Sequence, residues 1–470
     1  MTYATVNPYT LETVKEFPDA TEADVEAALA AADDAFRAWF ATPVEKRAEV
    51  VQKISEHLAA DAEELARLLT LEMGRISSSK GKTLTALGEA KFILAFFSYY
   101  ASKGPELLAP RRVENADGSA VIRTFEPLGV LVAVEPWNYP LYQVARVLAP
   151  QLVAGNVVIL KHAEINPQTA LELERVVREA AREAGAPEAI FTNVFATHDQ
   201  VATMIADPRV AGVALTGSER AGAVIAAEAG QALKKCTMEL GGSDAFVVLD
   251  DADIDKAAVL GARNRMQNGG QMCIASKRFI VADSVYDEFK EKYVAEIATF
   301  TAGDPAKEET LFGPMSSKRQ ADTVKDQVER ARAAGATYTP IGAPVPEQGA
   351  FVQAGILEGV DADNPVHDEE IFGPVAIFFR VADDDEAVAV ANDTPYGLGG
   401  AVMGADLERA AGVAGRINAG MVHINNAGGT GPNIPFGGVK RSGFGRECAE
   451  DGILEFVNKK WVTDPASIKG

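Results

Sequence analysis

Apolar residues recur along the chain with two distinct periods. Val25, Leu29, Ala32 and Phe36 fall three or four apart, so residues 22–38 predict an amphipathic helix. Thr21 followed by Asp24 gives that helix a capping-box start, with Asp in place of the usual Glu. Residues 44–73 and 79–102 predict two more helices, the second rich in aromatics. Continuous apolar runs of strand length follow at 128–134 and 157–160, separated by a helical stretch, 139–154, that stops near Gly155. A long helix runs from Pro167 to about Ala184, where Gly185 and Pro187 end it. Further strand-like runs lie at 190–195, 210–215 and 245–249. Strands apolar on both faces and separated by helices indicate βαβ units and a parallel sheet.

A second series starts near residue 252. It predicts helices at 252–268, 284–299, 316–334, 384–392 and 405–416. Strands are predicted at 277–282, 350–358, 374–380, 398–403 and 421–424. The segment 111–125 differs, because Asp117-Gly118 between β-compatible flanks predicts a hairpin. The stretch ILEFVNKKWV near the C-terminus predicts a strand. The fold class is α/β, with two successive α/β units.

Composition narrows the function classes. The 470 residues carry 45 basic and 67 acidic side chains, a net charge of −22, which disfavours nucleic acid and anionic membrane as partners. Three cysteines, Cys236, Cys273 and Cys448, exclude a disulfide scaffold and suit a reducing cytoplasm. The five histidines form no metal-ligand spacing, so no metal is expected. The segment Met1–Glu12 has no signal-peptide pattern, and the run 128–134 is too short to span a bilayer.

Several loops could carry chemistry. In Asn268-Gly-Gly-Gln-Met-Cys273, two glycines allow a tight turn ahead of a thiol held as a nucleophile; a buried small hydrophobe is the ordinary alternative. Glu239-Leu-Gly-Gly puts a carboxylate at a strand end, where it could serve as a general base or simply face solvent. In Pro136-Trp-Asn138-Tyr-Pro140, two prolines stiffen a loop whose Asn amide could stabilise an oxyanion. Thr216-Gly217-Ser218 ends a strand and opens a helix, a candidate anion site that does not match GxGxxG. Lys161-His-Ala-Glu164 follows a strand, where open α/β sheets bind ligands.

These motifs, in this order, resemble the aldehyde dehydrogenase superfamily. PWNYP, KHAE, LTGSERAG, MELGGS, GGQMC, EIFGPV, NDTPYGLGG and PFGGVKRSGFGRE span nearly the whole chain. The resemblance implies that Cys273 attacks an aldehyde to form a thiohemiacetal. The Asn138 amide and the Cys273 backbone N–H hold the oxyanion, and Glu239 activates the water that releases the acid. Lys161 and Glu164 match the adenosine-ribose binders, and Gly217 and Ser218 the pyrophosphate turn. Trp137 matches the cofactor cleft, and Glu370 and Phe372 the nicotinamide-ribose contacts.

KHA and Cys-Ile-Ala-Ser-Lys-Arg resemble a bacterial succinate-semialdehyde dehydrogenase branch. Arg146 sits where that branch binds the substrate carboxylate, with Thr430 assisting; a structural ion pair is the competing role for Arg146. The Gly-rich stretch from Asn425 to Asn433 departs from the branch and leaves aromatic or other aliphatic aldehydes open as substrates. A carboxylate at Glu164 should repel a 2′-phosphate, so NAD is the expected preference, with NADP use left to Lys161.

The family fold implies a Rossmann-like cofactor domain (1–110 and 126–239), a catalytic domain (240–440) and a small β oligomerisation arm (111–125 and 441–470). The arm's exposed edge predicts a homodimer or homotetramer. Two other chemistries compete with this one: a nitrilase-type hydrolase using Glu239, Lys161 and Cys273, and a CoA-acylating dehydrogenase, which usually lacks a base like Glu239.

Overall fold

A computed structural model describes residues 3–468. Two large sheets dominate it. The first runs, edge to edge, Gly443–Phe444, Lys235–Glu239, Val210–Thr216, Val130–Glu135, Val157–His162 and Phe191–Asn193. All are parallel except Gly443–Phe444, which pairs antiparallel with Lys235–Glu239. From the central strand Val130–Glu135 the chain builds outward through Val157–His162 and Phe191–Asn193. It then crosses back to Val210–Thr216 on the other side. That reversal opens a crevice at the C-terminal strand ends, where doubly wound sheets bind ligands. Trp137-Asn138 and Gly217-Ser218 sit at those two ends.

The second sheet is ordered Thr337–Pro340, Gly355–Glu358, Val375–Val381, Ser276–Ala282, Asp244–Val248, Gly399–Met403 and Met421–Ile424. Only the pairing of Thr337–Pro340 with Gly355–Glu358 is antiparallel. A third sheet joins Arg111–Glu114, Ala120–Pro127 and Val457–Thr463, all antiparallel, with Gly118 in the left-handed region at the hairpin turn. Its outer strand leaves Trp461 66% exposed. Part of the stretch that begins at residue 441 lies elsewhere. Gly443–Phe444 extends the first sheet, and the helix Ala449–Ile453 packs on the helix Pro140–Ala154.

The capping box at Thr21 and Asp24 is present and starts the helix Glu22–Phe40. The stretch 44–73 breaks at Asp61 into Val44–Ala60 and Ala62–Met73. The stretch 79–102 is a loop, with Lys80 and Gly81 at positive φ, followed by Ala86–Phe92 and Leu94–Leu107. The strand expected over 350–358 shortens to Gly355–Glu358. The hairpin Tyr3–Val6 with Thr13–Phe17, the helix His198–Ala206 and the strand Thr337–Pro340 were not anticipated from sequence.

The helix Pro140–Ala154 is buried along its whole length, which explains why it is mostly apolar, with Gln143, Arg146 and Gln151 as its buried polar positions. Its N-terminus has no side-chain cap of its own. The buried carboxylate of Glu89 accepts from the N–H groups of Leu141 and Tyr142 instead, and Arg75 pairs with it at 2.7 Å. Among the described residues no helix is long and apolar enough to cross a membrane, and no cluster of His, Cys, Asp and Glu is arranged to hold a metal.

Candidate active site

Cys273 precedes the strand Ser276–Ala282, and the turn before it is forced by its glycines. Asn268, Gly269 and Gly270 all adopt positive φ. A Cβ on Gly270 would run into the Gly373 carbonyl, so only glycine fits there. Arg265, fully buried, donates to the carbonyls of Ile371 and Gly373 and lies within reach of that of Gly270. The turn that carries Cys273 is thereby fastened to the loop that carries Glu370 and Phe372.

Cys273 lines two cavities. The larger, about 410 Å³, is walled by Tyr142, Arg146, Ile274, Thr430 and Phe436, and by Gly81 to Leu84 of the loop that sequence assigned to a helix. The smaller, about 260 Å³, is walled by Trp137, Asn138, Gly217, Ser218, Glu370 and Phe372. Trp137 and Phe372 meet edge to face at 5.7 Å. Ser218 caps the helix Glu219–Gln231 by accepting from the Ala221 N–H, which turns that helix N-terminus toward the smaller cavity. Burial pushes the Cys273 thiol up to about 12, while Arg146 and Lys277 pull against that shift.

Asn138 is held in one orientation. Its Nδ2 donates to the Gln271 carbonyl at 3.2 Å, and its Oδ1 accepts from Gln143 Nε2 at 2.9 Å. Its own carbonyl accepts from Asn268 and Arg75, both at 2.8 Å. The amide donor therefore faces the loop that carries Cys273.

Glu239 stands apart from both cavities. Its buried carboxyl lies against Gly437, and neither oxygen has a hydrogen-bond partner. Burial first, and then the neighbouring Glu447, hold it well above the ordinary carboxylate range. Glu135 is buried in the same cluster, raised by burial and by Glu447.

Arg146 does line the larger cavity, but it has resident partners. Its Nε lies 2.7 Å from Glu447, its Nη2 donates to Thr216 at 3.2 Å, and its guanidinium faces the rings of Tyr142 and Phe436. The competing structural role, an ion pair, is therefore present. Thr430 shares a 2.8 Å hydrogen bond with the Tyr142 hydroxyl. Lys82, which sequence reasoning did not single out, lines the same cavity and pairs with Glu296 at 2.9 Å.

Lys161 and Glu164 lie one strand away, at the end of Val157–His162, and pair with each other at 2.6 Å. The Glu164 carboxylate thus has its charge met inside the protein. The repulsion expected of a free Glu164 charge is thereby weakened, and a 2′-phosphate would meet the carboxylate as a competitor for Lys161. Neither Lys161 nor Glu239 joins Cys273 in a cavity, so the Glu-Lys-Cys arrangement of a nitrilase-type hydrolase is not assembled. Sequence reasoning also passed over Lys277, Gln143 and Tyr142. Lys277 lies four residues after Cys273, in a stretch whose local pattern carries no sign of its contacts.

Residues 1–462 match the aldehyde dehydrogenase family. A Deinococcus radiodurans protein named succinate-semialdehyde dehydrogenase (NADP(+)) is 47% identical over 460 residues, covering 98% of this chain and 94% of that protein. A Mycobacterium tuberculosis protein named succinate-semialdehyde dehydrogenase (NADP(+)) 1 is 42% identical, covering 98% and 99%. The solved structure of a Streptococcus pyogenes succinic semialdehyde dehydrogenase with NADP+ superposes with a TM-score of 0.93, at 40% identity, covering 98% and 100%. A match over nearly the whole chain, joined to a thiol on the wall between two cavities at the sheet's switch point, makes this chain a member of the aldehyde dehydrogenase family.

Proposed function

We propose that the protein oxidises a short aldehyde carrying a carboxylate, of the succinate semialdehyde class, to the acid, using NADP+. The observation that carries this reading is Cys273, which faces an Arg146- and Thr430-bearing cavity on one side and a Trp137-, Glu370- and Phe372-bearing cavity on the other. The names of the relatives support the same substrate.

The smaller cavity suits a nicotinamide coenzyme. Aromatic faces at Trp137 and Phe372, a carboxylate at Glu370 and a helix N-terminus at Ser218 make up its lining. Glu370 would accept from ribose hydroxyls, and the helix N-terminus would receive the pyrophosphate. When bound, the coenzyme supplies the hydride acceptor, and the acyl group is left on sulfur. The protein's own residues do the rest. Cys273 attacks the aldehyde carbon, and Asn138 Nδ2 donates to the developing oxyanion. Glu239 takes a proton from the water that releases the acid, which requires its side chain to leave the pocket beside Gly437.

The NAD preference expected from Glu164 is replaced by one for NADP+. The relatives are named for NADP(+), and Lys161 already neutralises Glu164. A 2′-phosphate would compete with that carboxylate for the ammonium. For the arm, the proposal is a homo-oligomer, with the free edge of Val457–Thr463 as the joining surface.

Reduced-coenzyme absorbance, measured across semialdehydes of different length, uncharged aliphatic aldehydes and aromatic aldehydes with each coenzyme, tests the reading. The expected result is the highest kcat/KM with succinate semialdehyde and NADP+. Higher values with aromatic aldehydes, or with NAD+, would overturn the corresponding half of it.

A further inference from the structure

Lys277 is 1% exposed, and a buried ammonium must be solvated by the protein. Its Nζ donates to the carbonyl oxygens of Cys273 at 2.7 Å and Met272 at 3.0 Å, and reaches that of Ala275 at 3.4 Å. Its one ion-pair partner among the described residues is Glu370, at 3.1 Å. One cation thus gathers three carbonyls of the nucleophile turn and a carboxylate of the smaller cavity. Glu370 also accepts from the Gly242 N–H, which holds its carboxylate at this junction.

We propose that Lys277 is a positioning residue for the nucleophile: it clamps the turn around Cys273, and Glu370 links that clamp to occupancy of the coenzyme cavity. The inference rests on the coenzyme reading above. A ribose hydroxyl that engages Glu370 draws on the carboxylate that offsets the Lys277 charge. The ammonium then acts less shielded on the adjacent sulfur, and the thiolate becomes easier to form. Four charged groups bear on that thiol. Arg146 and Lys277 favour the thiolate, whereas Glu370 and Asp244 oppose it. Asp244 is bound to the Gly399 N–H, and Arg146 to Glu447 and Thr216, so Glu370 is the one of the four placed where a coenzyme can engage it. Tyr139, Tyr142 and Lys82 complete the titratable lining, the first hydroxyl on Met272 Sδ, the second on Thr430 and the ammonium on Glu296.

The test is the rate of Cys273 alkylation by iodoacetamide against pH, without coenzyme and with NADP+ or NAD+, scored on the Cys273 peptide by mass spectrometry. That readout needs no aldehyde, and it separates Cys273 from Cys236 and Cys448. In the unaltered protein NADP+ should move the profile to lower pH. Lys277→Met should lose that movement and alkylate about tenfold more slowly at neutral pH, the loss that one unit of thiol acidity represents. Lys277→Arg should restore most of both. Glu370→Gln without coenzyme should already show the coenzyme-shifted profile. If Lys277→Met does not fold, the last two variants carry the test. Lys277→Met responding to NADP+ as the unaltered protein does, or Glu370→Gln matching the unaltered protein without coenzyme, would overturn the clamp alone. An unaltered protein that ignores both coenzymes would overturn the coenzyme reading and the clamp with it.

Discussion

Arg146 Nε and the Glu447 carboxylate lie 2.7 Å apart inside the wall of the larger cavity, with 1% and 5% of their side chains exposed. A substrate carboxylate that uses Arg146 must therefore share it with a resident one. Such sharing is tolerable only because a guanidinium offers several donors in a fixed plane. Replacing Arg146 by Ala should raise KM for succinate semialdehyde about 10- to 100-fold more than for an uncharged aldehyde of equal length. That ratio corresponds to one charge-assisted hydrogen bond. Comparing the two substrates cancels the general damage of leaving Glu447 unpaired, which should cost about 3–5 kcal/mol of stability. Equal losses for both aldehydes would reduce Arg146 to a structural cation.

Coenzyme choice is expected to turn on a second pair. Lys161 Nζ holds Glu164 at 2.6 Å, and a 2′-phosphate would have to displace that carboxylate. Glu164→Ser should raise the NADP+ to NAD+ ratio of kcat/KM by about tenfold, the scale of one charged hydrogen bond. Lys161→Met should lower it by a similar factor. Steady-state kinetics with both coenzymes on each variant decides; an unchanged ratio in both would remove the pair from coenzyme selection.

Glu239 sets the expected pH dependence of acid release. Its carboxyl is held well above the ordinary carboxylate range, by burial and then by Glu447, so the neutral form is favoured. A general base must be ionised. Thioester hydrolysis should therefore rise with pH through this elevated value rather than through the usual acidic range. Glu239→Gln should slow hydrolysis by about 10²- to 10⁴-fold while leaving thiohemiacetal formation intact. Rapid mixing would then record a burst of about one reduced coenzyme per site followed by a stall. Loss of the burst itself would place Glu239 in an earlier step.

Periodicity located the parallel strands and most helices because burial on both faces leaves a plain apolar run. The same signal merged Val44–Ala60 with Ala62–Met73, since the break at Asp61 costs only one residue of pattern. It also carried a helix through 79–85, where Lys80 and Gly81 turn the chain into the cavity wall. The short helix His198–Ala206 had a readable start, Thr197 and Gln200, which form a capping box. Cys273, Asn138 and the Gly217-Ser218 turn were legible because glycine and proline mark the loops that hold them. Lys277, Glu447 and the Arg75–Glu89 pair were not. Their importance comes from contacts with distant segments, and no local pattern reports those.

His162 shows how such a contact governs stability. The ring is fully buried; its Nδ1 accepts from the Ala163 N–H at 2.8 Å, so Nε2 carries the proton and donates to the Pro140 carbonyl at 3.1 Å. It thereby bolts the end of the strand Val157–His162 to the loop that presents Asn138. Burial pulls its pKa down to about 4 from an ordinary 6.5. The folded state therefore binds the proton more weakly than the unfolded chain does. Stability is full above pH 6.5 and is lost as the pH falls toward 4, because only the unfolded chain gains the proton. The loss over that window should be about 3 kcal/mol from this residue. His162→Asn should be less stable at neutral pH but should lack this part of the acid sensitivity. Urea unfolding at several pH values measures both. A variant whose stability falls as steeply as that of the unaltered protein between pH 6.5 and 4 would assign the acid sensitivity to other groups.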